Sequence, residues 1–202
     1  MNRTQIINNI IEKKEYKNYL EIGVGDGLNF NSIKCSNKTG VDPGIEGNWK
    51  NVAQYKMISN EFFNVINSDT LWDFIFIDGL HLSYQVEKDI INSLKHLSDN
   101  GIIMLHDCNP FMYEDNYERI IEDYWGQKWN GTVWKTIYKL RSSRNDLKII
   151  TINEDEGLGI ITKDKSTTIP FNNPYFEYKL LQKTLKESLG LVSYEEYITE
   201  YL

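Results

Sequence analysis

The stretch Glu21-Ile22-Gly23-Val24-Gly25-Asp26-Gly27 constrains this chain more than any other. Tyr19 to Val24 reads as a buried strand, and the three alternate glycines after it demand a tight turn. Glycine at such a turn lets the backbone enter left-handed conformations and lets another group approach closely. The dinucleotide pattern G-x-G-x-x-G needs a glycine at position 28, where this chain has Leu28. The pattern is therefore E-x-G-x-G-x-G.

A length of 202 residues suits one domain with a short appendage, and a hydrophobic fraction of 41% supports a sizeable core. The formal charge of −7 and the lack of a basic block argue against a nucleic-acid partner. Two distant cysteines, Cys35 and Cys108, make no disulfide framework and fit a reducing, cytoplasmic setting. The first residues lack the apolar stretch of a signal peptide, and no run approaches a membrane span. Both a nucleic-acid and a membrane role are thus set aside.

Ile6, Ile7, Ile10 and Ile11 predict an amphipathic helix over 4–16. Strands are expected at 19–24, 39–42, 55–59, 72–78 and 102–105, then a pair at 147–152 and 159–162. Helices are expected at 83–97, with Ser83 as N-cap, and at 132–142. The tail reads as two helical pieces, with Asn173-Pro174 starting one and the Ser193/Glu196 capping-box pattern starting the other. Alternating strands and helices followed by a strand pair predict a doubly wound, Rossmann-like α/β sheet, mostly parallel with an antiparallel edge strand. The predicted organisation is a domain over 1–163, carrying an aromatic insertion at 108–131, and a C-terminal helical extension over 164–202.

Sheets of this kind bind ligands at the carboxyl ends of their strands. Gly23, Gly25 and Gly27 follow the first strand. Asp42 follows the second and could accept two ribose hydroxyls, or could simply close the turn before Pro43. Ser59 and Asn60 follow the third, where they could hold an adenine edge or cap a helix. Asp78 and His81 follow the fourth, and His106 and Asp107 the fifth. Carboxylates gathered there repel unless a proton or cation bridges them, and oxygen ligands favour Mg²⁺ or Ca²⁺. His96, in the last turn of a helix, reads as a dipole-stabilised, solvated side chain.

These segments resemble class I S-adenosylmethionine (SAM)-dependent methyltransferases. The residues are Leu20 to Gly27, Gly40-Val41-Asp42-Pro43, Asp73 to His81 with its D-G-x-H element, and Leu105-His106-Asp107. More narrowly, they are similar to small bacterial O-methyltransferases of the macrocin and cephalosporin pathways. The resemblance covers about 18–163 and implies SAM as cofactor, with Glu21, Gly23, Gly25, Gly27, Asp42, Ser59, Asn60 and Asp78 around it. It implies Mg²⁺ or another divalent cation on Asp78 and the His106-Asp107 pair, with His81 as general base. His106 departs from the acid expected there, which leaves room for a metal-free enzyme using His81 or His106 directly.

The function expected is methyl transfer to a small-molecule hydroxyl, on a sugar or secondary metabolite. The alternatives are a SAM-binding regulatory or scaffold protein without catalysis, and a nucleotide-binding oxidoreductase, which the Leu28 position disfavours. The aromatic segment with Phe111, Tyr113, Tyr117, Tyr124, Trp125 and Trp129 is expected as a substrate lid or as simple packing. A neighbouring subunit could close the site, so a homodimer is an open expectation.

Overall fold

A computed structural model describes residues 1–44, 52–112, 118 and 129–202. In chain order the elements are α1 (Arg3–Lys14), β1 (Asn18–Ile22), α2 (Leu28–Ser32), β2 (Asn37–Val41), α3 (Ser59–Val65), β3 (Trp72–Ile77), α4 (Ser83–Lys95) and β4 (Leu97–Leu105). There follow α5 (Val133–Ser143), β5 (Lys148–Ile152), β6 (Leu158–Thr162), α6 (Tyr178–Lys183), α7 (Leu185–Leu189), β7 (Leu191–Val192) and α8 (Tyr194–Glu200). Among the described residues no helix is long and apolar enough to cross a membrane.

The seven strands form one sheet in the order β2-β1-β3-β4-β6-β5-β7. β2, β1, β3 and β4 are parallel neighbours, and β6 runs against both β4 and β5. The antiparallel pairings are thus confined to one side of the sheet. The tail reaches the sheet through β7, which pairs with β5.

Strand periodicity decides what each face buries, because successive side chains point to opposite sides. Leu20, Ile75, Ile103, Ile161 and Ile149 are register partners across five strands. They pack under helices α3, α4, α5 and α7, with Phe62, Ile90, Ile137 and Leu189. One residue along, Glu21, Phe76, Met104, Ile160 and Ile150 are partners on the other face. The apolar members of this row pack against α1 and α8, meeting Ile6, Ile7, Ile10 and Tyr197. Glu21 is therefore an acidic residue in an otherwise apolar row.

The expected amphipathic N-terminal helix is present. All four of its isoleucines are buried, each contributing on the order of 1.5–3 kcal/mol of burial. Asn2 and Gln5 form a capping box at its start, as Ser193 and Glu196 do at the start of α8. The strand expected at 55–59 is reduced to a single bridge between Val41 and Tyr55, since α3 already begins at Ser59. Helix α4 starts at Ser83, but Leu82 is its cap and Ser83 N–H donates to Thr132 Oγ1 at 2.8 Å. His96 is not solvated: it is buried, its Nδ1 bonds the Thr70 carbonyl at 2.8 Å, and its ring stacks on Phe63.

Candidate active site

The carboxyl ends of β1, β3 and β4 finish level, with Ile22, Ile77 and Leu105 in register. Backbone bonds continue one step further. Asp78 N–H donates to the Ile22 carbonyl at 2.8 Å and His106 N–H to the Ile77 carbonyl at 3.1 Å. Gly23, Asp78 and His106 consequently emerge side by side. This is also where strand order turns, since β1 lies between β2 and β3.

Two of the glycines have different duties. Gly23, at φ +88°, lies so close to Asp78 that an added Cβ would overlap the Asp78 carbonyl. It joins the ends of β1 and β3. Gly25, at φ +55°, has no heavy atom within 4 Å of an added Cβ among the described residues. Its N–H donates to Asp42 Oδ2 at 2.9 Å, which ties the glycine loop to the end of β2. Asp42 also accepts the Gly44 N–H at 2.6 Å.

Beneath this loop Glu21 is buried. Its Oε2 accepts from Tyr19 Oη at 2.5 Å and from Asn29 Nδ2 at 3.0 Å. Burial outweighs these bonds and pushes its pKa up to about 8. Ser59 and Asn60 sit at the start of α3. Gln85 Nε2 of α4 donates to Ser59 Oγ at 3.1 Å and to Asn60 Oδ1 at 3.2 Å.

The strand-end histidines and aspartates form a single cluster. His81 Nε2 is 3.2 Å from Asp78 Oδ1 and 3.3 Å from Asp107 Oδ2. His106 Nδ1 is 2.9 Å from Asp107 Oδ2 and 3.3 Å from Asp78 Oδ1. Each imidazole thus bridges the same two carboxylates. Asp107 holds its place in a left-handed backbone conformation, φ +61°, that aspartate tolerates better than most residues. The turn after β4 is fixed by Cys108 N–H on the Gly157 carbonyl at 2.9 Å and Asn109 N–H on the Glu156 carbonyl at 2.9 Å.

Sequence reading missed three contributors. Arg3, from the first turn of α1, places Nη1 2.5 Å from His106 Nε2 and 3.8 Å from Asp78 Oδ2. Asn130 Nδ2 donates to Asp107 Oδ1 at 2.8 Å. Asp155, in the β5–β6 turn, places Oδ1 3.9 Å from His106 Nε2. Arg3 and Asn130 follow no strand, and Asp155 lies in the turn between β5 and its antiparallel partner β6, beyond the five strand ends that the sequence reading weighed. Of the aromatic segment, Trp129 reaches the cluster and stacks on His81, with centroids 5.2 Å apart. Phe111 is exposed, and Tyr113, Tyr117, Tyr124 and Trp125 lie outside the described residues.

The protonation pattern follows from these contacts. His81 Nδ1 is 3.0 Å from the Trp129 carbonyl, which can only accept, so Nδ1 carries a hydrogen. Nε2 then faces two carboxylates. Burial opposes a charge there, but the Asp78 hydrogen bond and the charges of Asp107 and Asp78 prevail, and the His81 pKa is pushed up to about 9. Burial likewise works against the Asp78 carboxylate, yet His106 and His81 hold its pKa well below the usual range. His106 is drawn towards protonation by Asp78 and Asp107 against its burial. Arg3 Nη1 stands against both ring nitrogens, 2.9 Å from Nδ1 and 2.5 Å from Nε2, and sets a second positive charge beside that ring.

His81 Nε2, a carboxylate oxygen of Asp78 and one of Asp107 lie within 4.8 Å of one another. Three acceptors so placed require a proton or a metal cation between them. An imidazole anchored through its other nitrogen and two carboxylate oxygens fit a divalent ion such as Mg²⁺ or Mn²⁺. A separate cavity of about 450 Å³, lined by Lys14, Tyr16, Asn100, Lys148 and Tyr201 among others, lies at the opposite ends of the strands. It takes no part in this cluster.

Residues 20–108 match a family model described as a methyltransferase domain. None of the curated proteins matches the chain in sequence. Several solved structures share the fold. The O-methyltransferase from Bacillus cereus in complex with S-adenosylhomocysteine (SAH) has a TM-score of 0.57 and 12% identity, with 81% of this chain and 82% of that one covered. SAH-bound PaMTH1 from Podospora anserina has a TM-score of 0.55 and 16% identity, with coverages of 81% and 78%. TomG from Streptomyces achromogenes, an O-methyltransferase of tomaymycin synthesis solved with SAM, has a TM-score of 0.54 and 9% identity, with coverages of 80% and 79%. The fold is that of class I methyltransferases.

Proposed function

We propose that this chain, a SAM-dependent methyltransferase by its matched domain and its fold, methylates a hydroxyl oxygen of a small molecule. The observation that carries the reading is the convergence of Asp78, His81 and Asp107 at the strand ends where the glycine loop begins, Gly23 lying against Asp78. The solved O-methyltransferases that share the fold support oxygen as the acceptor atom.

SAM supplies an activated methyl group, so the protein has chiefly to align donor and acceptor and to remove one proton. Asp42, held by the Gly25 N–H, accepts the ribose hydroxyls. Gly23, Gly25 and Gly27 shape the methionine end, with Glu21 beneath them. Ser59 and Asn60, steadied by Gln85, hold the adenine edge. In its neutral form His81 takes the acceptor proton at Nε2, and Asp78 and Asp107, which favour a proton there, must first be offset by another positive charge such as the SAM sulfonium. His81 releases its own proton more readily when a second positive charge enters the cluster, because like charges disfavour an imidazolium. His106 and Asn130 fix the Asp107 carboxylate through one bond to each of its oxygens. A divalent cation on Asp78, His81 and Asp107 would make the acceptor hydroxyl more acidic. Were that cation held there, His81 would be one of its ligands and not the base.

The test is calorimetry with SAM and with NAD, followed by a metabolite screen for methylated products. SAM binding with no comparable NAD binding, and methylation of an oxygen, are expected. Preference for NAD, or methylation at nitrogen alone, would overturn the reading.

A further inference from the structure

We propose that Arg3 is the chain's own counter-ion to the Asp78–Asp107 carboxylate pair and weakens the hold of that pair on a divalent cation. The inference concerns the same cluster as the proposed function, but it is read through metal binding and not through methyl transfer.

Arg3 is not a loose surface side chain. Its backbone N–H donates to Asp155 Oδ2 at 2.6 Å, and the helix that carries it is capped by Asn2 and anchored by four buried isoleucines. This places the guanidinium with Nη1 2.5 Å from His106 Nε2 and 3.8 Å from Asp78 Oδ2. The Arg3 side chain is 33% exposed and that of Asp78 18%, so solvent screens the pair only in part. Arg3 always carries its charge. It faces Asp78 directly, Asp155 through its own backbone, and Asp107 through the His106 ring.

The geometry makes Arg3 a competitor. Asp78 offers Oδ1 to the two imidazoles and Oδ2 to Arg3, so one carboxylate serves both charges. A divalent ion seated between Asp78, His81 and Asp107 would stand within several ångströms of the guanidinium. Two positive groups that close repel strongly in a partly buried site. Removing the fixed charge should therefore tighten cation binding by roughly 10- to 100-fold.

The experiment titrates the full chain with Mn²⁺ alone, followed by electron paramagnetic resonance, for the wild type, Arg3→Gln and Arg3→Lys. Arg3→Gln should bind Mn²⁺ at least 10-fold more tightly than the wild type. Arg3→Lys, which keeps the charge, should stay within about 3-fold of it. Adding Asp107→Asn to Arg3→Gln should abolish the gain, which locates it at this pair. If Arg3→Gln does not show a folded thermal transition, Arg3→Met keeps the packing of the stem and is held to the same outcomes. Equal or weaker Mn²⁺ binding by the folded neutral variant would overturn the proposal. SAM calorimetry on the same samples without Mn²⁺ tests the methyltransferase assignment separately.

Discussion

The carbonyl of Trp129 accepts from His81 Nδ1 at 3.0 Å while the two rings stack. This pairing fixes the imidazole so that Nε2 points at Asp78 and Asp107. A residue outside the regular sheet thus sets the tautomer of a residue at a strand end, a common means of orienting a catalytic or metal-bound histidine.

His81→Ala should lower turnover by roughly 10²- to 10⁴-fold, the usual worth of a positioned base. SAM affinity should be almost unchanged if His81 serves the acceptor, as proposed, and not SAM. The check pairs steady-state kinetics, with an acceptor found by the metabolite screen, with SAM calorimetry. Full turnover by this variant at neutral pH would remove His81 from proton transfer.

Asp42→Ala should weaken SAM binding by on the order of 1.5–3 kcal/mol, typical of hydrogen bonds to a charged group. The loss has two parts, the ribose contacts and the Gly25 N–H bond that shapes the loop. Asp42→Asn keeps one acceptor oxygen and should lose less. Calorimetry on both variants tests the ordering, and an unaffected Asp42→Ala would sink the ribose assignment.

Gly25 and Gly23 should fail in different ways. Gly25→Val keeps neighbouring atoms clear but fills the space beside the loop, so SAM binding should vanish while the thermal transition survives, shifted by the strain of φ +55°. Gly23→Ala drives a Cβ into the Asp78 backbone and should destabilise the fold itself. Thermal melting with and without SAM separates the two. Normal SAM binding by Gly25→Val would mean that this glycine only turns the chain.

Much of this was legible because parallel sheets put their chemistry where strands end. The apolar runs Trp72 to Ile77 and Ile102 to Leu105 already put Asp78, His81 and Asp107 at one edge of a parallel sheet, and the level ends of β1, β3 and β4 set His106 among them. Arg3 was not legible, since its contact with His106 spans 103 positions and depends on how α1 docks over the strand ends. Asn130 was hidden because it follows the aromatic segment and no strand, and Asp155 because it lies in the turn of an antiparallel pair. Near Tyr55 local patterning misled. Its alternation suits a strand, but α3 begins at Ser59 and leaves room for one bridge to Val41. His96 misled through its place in a last turn, where Phe63 and Trp72 bury it.

Glu21 makes stability depend on pH in a direction opposite to that of most carboxylates. Its folded-state pKa of about 8 lies above the ordinary glutamate value of 4.5, chiefly through burial in the apolar row that faces α1. Between these values the native state keeps a proton that the unfolded chain has lost. Stability from this group is therefore full below about pH 4.5, declines as pH rises, and is lost by about pH 8. Glu21→Gln keeps an oxygen for Tyr19 and Asn29 and cannot ionise. The variant should match the wild type near pH 5 and exceed it by on the order of 3 kcal/mol near pH 7 to 8. Urea unfolding at several pH values measures this directly. A wild type and a Glu21→Gln variant that run parallel across the range would show that Glu21 is already ionised in the folded protein, with Arg3 or Asn29 holding its charge.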